Sequence, residues 1–320
     1  MSGDSVRIAG AHEGAAGPVL LAADPAGQVL LVSNSNGRDG VCRWDTDTGA
    51  LLWRSSDALG GGNALAAVRL ADGRWVVAAA GERGVARWDG LTGQVLPGCE
   101  PRDETVWGLA SARLLDGRAV LVGAGNGGEI HRWDAETGIA LGKPLVGHGT
   151  SVKCVAVQEL PGHTVMIASG GDDGCVRRWD AATGQALGMP LEASGWVIEV
   201  VMLPLAGGRT LIAASDNEDI LYRWDAESGE PIGHPVEMGE YTVLASAVHL
   251  AGEPMLFTFG ADEVVRQRHA VTGEPTGHSW RGQAASCVTR ADGTVLLATG
   301  AFNGDVVVQT LGVPQRSGGS

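Results

Sequence analysis

Carboxylates recur in the turns between short apolar runs: Asp39, Glu82, Glu129, Asp172, Asp173, Asp216, Glu218, Asp219, Asp262, Glu263 and Asp305. Gathered on one face they would make a negative field that steers basic ligands. Asp is also a turn former with no further role, but the stretch from Asp172 to Glu263 is denser than turn chemistry requires. Trp107, Trp196 and Tyr241 recur at a related interval, with Asn63 and Ser151 in the equivalent places. Such aromatics either pack on their neighbours or anchor a docked peptide. Inside an acidic rim they suit an Arg or Lys side chain, partly through cation–π attraction. A third series is Arg43, Arg87, Arg132, Arg178 and Arg223, each two residues before an Asp. In a strand, positions i and i+2 share a side. Each Arg is therefore expected to meet its own Asp, or one on the adjacent unit, in a charge-assisted bond. The run Arg266 to His269 breaks this pattern and reads as drift in a tolerant repeat, or as a small basic site.

No nucleophile elbow, phosphate loop or metal-binding signature is present. The five Cys (Cys42, Cys99, Cys154, Cys175, Cys287) form no CxxC pair, and their odd number argues against a disulfide framework. No cofactor and no metal is expected. The formal net charge is −14, which repels nucleic acid in the absence of a local basic patch. No apolar stretch is long enough to span a bilayer, and the N-terminal residues do not read as a signal peptide. The expectation is a cytoplasmic protein without membrane contact.

The elements that carry these residues are set by a repeat. Arg-Trp-Asp occurs with Trp at 44, 88, 133, 179 and 224, in steps of 44, 45, 46 and 45 residues. Each copy leads to Thr-Gly or Ser-Gly, from Thr48-Gly49 to Ser228-Gly229. A sixth copy places Arg268 and His269 at the Trp and Asp positions and keeps Thr272-Gly273; a seventh has Gln309 at the Trp position. A second turn marker keeps the same phase seven times, from Pro25-Ala26-Gly27 to Asp292-Gly293. Within unit four, Val152–Val157, Val165–Ser169, Cys175–Trp179 and Gln185–Leu191 read as four short antiparallel strands. One such sheet cannot bury both faces, whereas seven packed radially can. The fold expected is all-β: a seven-bladed β-propeller of four-stranded antiparallel blades over residues 1–312. Unit seven stops after its third strand, so Ser5–Ala9 is expected to supply the missing outer strand and close the ring. The Gly/Ser-rich tail 313–320 reads as disordered.

A repeat of this length ending in Trp-Asp resembles the WD40 family, over about residues 5–311. Gly147-His148, Asp173 and Trp179-Asp180 are similar to its full signature. The resemblance implies a structural hydrogen-bond network of His148, Ser169, Asp173 and Trp179 inside blade four. The remaining units read as lacking the His. It also implies that the second-to-third-strand turns share one face, the top, with Trp107, Trp196 and Tyr241 around the mouth of the central channel. Lys153 and Glu199 would lie on neighbouring inner strands facing that channel.

The function expected is a non-catalytic interaction scaffold. Its top face, through Trp107, Trp196, Tyr241, Asp172, Asp216, Glu218, Asp219, Asp262 and Glu263, would bind a protein or peptide with basic side chains. The alternative is an enzyme of a bacterial pathway using the channel as its pocket. A third reading is a regulatory domain severed from a larger bacterial chain. Partner identity and oligomeric state are not legible.

Overall fold

The computed structural model describes residues 5–24, 26–35, 40–55, 62–99, 104–239 and 241–312. The turn residue Pro25, the rim residue Asp39 and the tail 313–320 lie outside these. Seven four-stranded antiparallel sheets form the chain. In blades one to six the four strands follow in sequence, from innermost to outermost. Blade four runs Val152–Glu159, Val165–Gly171, Cys175–Asp180 and Leu191–Glu192. Blade seven contributes Ala284–Thr289, Val295–Gly300 and Val306–Gly312, and the N-terminal strand Ser5–Ile8 completes it. Its register is Ser5 with Gln309, Val6 with Val308, Arg7 with Val307 and Ile8 with Val306. Asp305 fastens this joint: its carboxylate accepts from Arg7 Nε (2.9 Å) and from the Gly10 amide (2.7 Å). Ring closure by the first strand is therefore as expected. Among the described residues no helix is long and apolar enough to cross a membrane.

The second strand of each blade carries the core. Ala119–Gly125 and Val165–Gly171 are buried at every position, because both faces of a blade are covered by its neighbours. A strand buried on two sides reads as a continuous apolar run rather than an alternating one. The apolar clusters sit at the junctions. Met166 and Ala168 of blade four pack with Val197, Val200 and Trp224 of blade five; Leu31 and Trp44 of blade one pack with Leu296 and Val308 of blade seven.

The repeated Arg-Trp-Asp-x-x-Thr-Gly segment solves two problems in one turn. The Asp carboxylate caps its own turn: Asp180 Oδ1 accepts from the amide of Thr183 (2.6 Å) and from its hydroxyl (2.9 Å). Asp45, Asp89, Asp134 and Asp225 repeat this. The Arg does not meet a carboxylate, contrary to the sequence expectation. It crosses to the next blade and donates to main-chain carbonyls of that blade's turn. Arg87 Nη1 reaches Ala135 O (2.7 Å), Arg132 Nη1 reaches Ala181 O (2.9 Å) and Arg178 Nη1 reaches Ala226 O (2.9 Å). The Asp Oδ1 is already engaged by its own turn, and the main-chain carbonyls of the neighbouring turn serve as the acceptors for the Arg. The Gly that ends the segment is required twice. Gly184 has φ +80°, and a Cβ there would stand 2.6 Å from Arg132 Nη2.

The outer strand of blade four is shorter than Gln185–Leu191. Leu191–Glu192 pairs as a strand, and before it only a single bridge joins Ala186 to Trp179; between them Gly188 (φ +73°) bends the chain and Arg178 holds the loop through Met189 O (3.2 Å).

Candidate functional site

One end of the ring gathers the second-to-third-strand turns and the starts of the inner strands. The link is direct: Trp107 Nε1, at the start of blade three, donates to Asn126 Oδ1 in that blade's turn (2.6 Å). Apart from Asp39, which lies outside the described residues, the carboxylates and aromatics singled out in the sequence stand on this top face.

In blade four the hydrogen-bond chain runs from Trp179 Nε1–H to Ser169 Oγ (2.9 Å), from the Ser169 hydroxyl to His148 Nε2 (2.8 Å), and from His148 Nδ1–H to Asp173 (2.9 Å). This assignment gives every member a role with a neutral imidazole. Burial favours that state and pushes the His148 pKa down, against the pull of Asp173. Burial also works against the Asp173 charge, but the bonds from His148 and Arg177 hold its carboxyl below the usual range. Asp173 is thus tied into the blade. Blade one repeats the pattern, which corrects the expectation that the other units lack the His. His12 Nε2 lies 2.8 Å from Ser33 Oγ, which accepts from Trp44 Nε1 (2.8 Å). The signal was in the sequence: His12 to Ser33 and His148 to Ser169 are both 21 residues. Blade five uses different residues. Asp216 accepts from Tyr222 Oη (3.0 Å), Ser194 Oγ (3.2 Å) and the Gly195 amide (3.1 Å).

Much of the acidic rim is engaged internally. Asp172 pairs with Lys153 (3.3 Å), whose ammonium also lies 5.1 Å from the Trp107 ring centroid. Asp216 holds the blade-five turn. Asp262 forms an ion pair with Arg266 (Nη1 to Oδ1, 3.0 Å), and that bond holds its carboxyl below the usual range. Asp219 accepts from the amides of Tyr241 and Thr242, both at 2.9 Å. Arg268, at the position of the missing Trp, is buried and donates to Gly273 O (3.1 Å) and Met238 O (2.8 Å). Unit six therefore exposes no basic site through Arg268. In blades five and six the carboxylates left outward are Glu218, within 3.4 Å of Asn217 Nδ2, and Glu263; Glu82 of blade two and Glu129 of blade three are exposed as well.

Beside them stand two exposed aromatics. Trp196 is 58% exposed and Tyr241 75%. Their backbones are pinned: the Trp196 amide donates to Asn217 Oδ1 (2.6 Å), and Asp219 holds Tyr241. The backbone here is also strained. Asp219 (φ +61°), Tyr241 (φ +53°) and Glu263 (φ +59°) all lie in the left-handed region. At the position of Asp219 and Glu263 the other blades carry Gly40, Gly84, Gly128, Gly174 and Gly304, all with positive φ. A non-glycine residue there costs about 1 kcal/mol. Such strain tends to persist at functional sites.

Below the aromatics the channel opens into a cavity of about 660 Å³ lined by residues of all seven inner strands, among them Leu65, Trp107, Lys153, Glu199 and Ala285. Lys153 and Glu199 both face it, as expected, but Lys153 is held by Asp172 rather than by Glu199. Burial pushes the Glu199 carboxyl up to about 7, against the bond from the Val200 amide (3.2 Å). Among the described residues no group of three or more His, Cys, Asp or Glu could hold a metal ion.

No curated protein matches the chain. A family model described as outer membrane protein assembly factor BamB matches residues 11–233. The match begins at the entrance to blade one and stops in blade five, just after the last Arg-Trp-Asp copy. With more than two thirds of its length covered, and a propeller of repeated four-stranded blades throughout, the chain belongs to that family of β-propeller proteins.

Proposed function

We propose that the protein is a non-catalytic interaction module of WD40 type, docking a protein or peptide partner on the top face of blades five and six. The observation that carries this reading is the pair Trp196 and Tyr241. Both rings are exposed while both backbones are fixed by side chains of the adjacent turn. Rigid aromatics present contact area with little entropy left to lose on binding, and they are the residues that most often dominate interfaces. Glu218 and Glu263 border the pair and favour basic side chains on the partner. The family description names a factor in the assembly of outer membrane proteins, which supports a protein as the partner. Among the described residues no disulfide joins the cysteines, which favours a reducing compartment, the cytoplasm.

The test begins with affinity purification from the native host. The captured partner is then purified and titrated against the full chain at rising salt. The expected result is affinity that falls with salt and falls further for Glu218→Lys and Glu263→Lys. Affinity indifferent to both would remove the acidic part of the reading. Affinity unchanged in Trp196→Ala combined with Tyr241→Ala would remove the docking face.

A further inference from the structure

The channel cavity is lined by polar groups that, with one exception, are already engaged by the wall. Asn63 Nδ2 donates to Val106 O (2.9 Å), and Gln283 Nε2 donates to Ala16 O (3.0 Å). Ser286 Oγ accepts from the Leu21 amide (3.0 Å). Lys153 is neutralised by Asp172 and rests against Trp107. The exception is Glu199. Its one bond is to the amide of the next residue, Val200, and among the described residues no side-chain donor reaches it. It stands half-buried in the wall of a cavity that Leu20, Val201 and Phe259 also line with partly exposed side chains. A carboxylate so placed lacks the counter-charge that a buried ion needs. The cavity of about 660 Å³ has room for a chain of several carbons beside it.

We propose that this cavity is a binding site for a cation carried on an apolar stem, with the Glu199 carboxylate as counter-ion and the partly exposed Leu20, Val201 and Phe259 as the wall for the stem. Two sources share this chemistry: a Lys-type side chain of a partner seated on the top face, or a free aliphatic amine. The first source rests on the docking reading above, whereas the cavity itself does not.

Ionised Glu199 is the binding form, so the site strengthens as pH rises through about 7. The neighbouring inner strand of blade four brings Lys153 and Cys154. Lys153 is paired with Asp172, and burial holds the Cys154 thiol well above its ordinary pKa. The inner strand of blade six contributes Leu244 and Ala245 to the cavity, neither of which titrates.

The probes are n-hexylammonium and neutral n-hexanol, titrated calorimetrically against the full chain, wild type and Glu199→Gln, with folding checked by circular dichroism. Hexylammonium is expected to bind about thirtyfold more tightly near pH 8 than near pH 5.5, following the ionised fraction of Glu199. Glu199→Gln should abolish that difference and weaken binding at the higher pH, while hexanol responds to neither change. Equal hexylammonium affinity in wild type and Glu199→Gln near pH 8 would overturn the proposal, as would no hexylammonium binding by the folded wild type. Hexylammonium binding that survives Trp196→Ala and Tyr241→Ala supports the cavity even if the docking reading fails. A partner whose Lys-to-Met substitution relieves its competition with hexylammonium identifies the side-chain source; a partner that never competes assigns the site to a free amine.

Discussion

The two ends of this propeller obey different rules. At the bottom, the Arg-Trp-Asp-x-x-Thr-Gly turn recurs with nearly fixed geometry, and Arg87, Arg132 and Arg178 make the same crossing to the next blade. At the top, blades five and six depart from their siblings. Acidic residues replace glycines at positive φ, and aromatics stand in water. A repeated feature must satisfy a requirement that every blade shares, namely holding its neighbour. A feature present in one or two blades has no such explanation in the ring. The bottom reads as assembly; the top of blades five and six is where the proposed docking would take place.

The largest effect that would break or sharpen this contrast is at the bottom. Gly184→Ala sets a Cβ 2.6 Å from Arg132 Nη2 and 2.7 Å from Leu145 Cδ2 at φ +80°. It should lower stability in urea unfolding by about 2–4 kcal/mol. Gly117→Ala has similar φ but open space around its Cβ, and should lose only about 1 kcal/mol. Equal losses would show that the Arg crossing does not constrain the glycine.

At the top, Trp196→Ala should weaken partner binding by about 2 kcal/mol, close to 30-fold, and leave the melting temperature nearly unchanged because the ring is exposed. A fall in melting temperature without loss of affinity would move Trp196 into the structural set.

The channel gives a pH test. The folded-state pKa of Glu199 is raised from 4.5 to about 7, so the wild type loses stability as pH rises through that window. Glu199→Gln should be more stable than wild type by about 1–2 kcal/mol near pH 8, with the difference vanishing near pH 4. A difference that does not vary with pH would mean that the carboxyl is solvated as in an unfolded chain.

The smallest effect is Glu263→Gly. Removing a left-handed non-glycine residue should stabilise the chain by about 0.5–1 kcal/mol while reducing the salt dependence of partner binding. Stabilisation without any change in binding would leave the strain at Glu263 unexplained by recognition.

The fold was legible because its markers are local. Trp at steps near 45 residues and a second turn signal in the same phase count the blades, and the unpaired run at Ser5 shows how the ring closes. The partners of side chains were less legible. That Arg87 would choose Ala135 O over Asp89 depends on which acceptors the neighbouring turn leaves open. The same limit applied to the rim. Asp262 and Glu263 are adjacent acids in one turn, yet Arg266 neutralises the first and leaves the second outward. His12 was within reach of sequence reasoning, since its interval to Ser33 repeats that of His148 to Ser169. What concealed it was the missing Gly-His signature: His12 follows Ala11, whereas His148 follows Gly147.

The most direct test of the split between assembly and recognition is backbone hydrogen exchange of the full chain, free and saturated with its purified partner. The account predicts added protection at Gly195–Val197, at Asp216–Ile220, at Tyr241–Val243 and at Asp262–Val264, with the bottom turns Asp134–Gly138 and Asp180–Gly184 unchanged. Protection confined to those bottom turns, with the top of blades five and six exchanging as before, would contradict it.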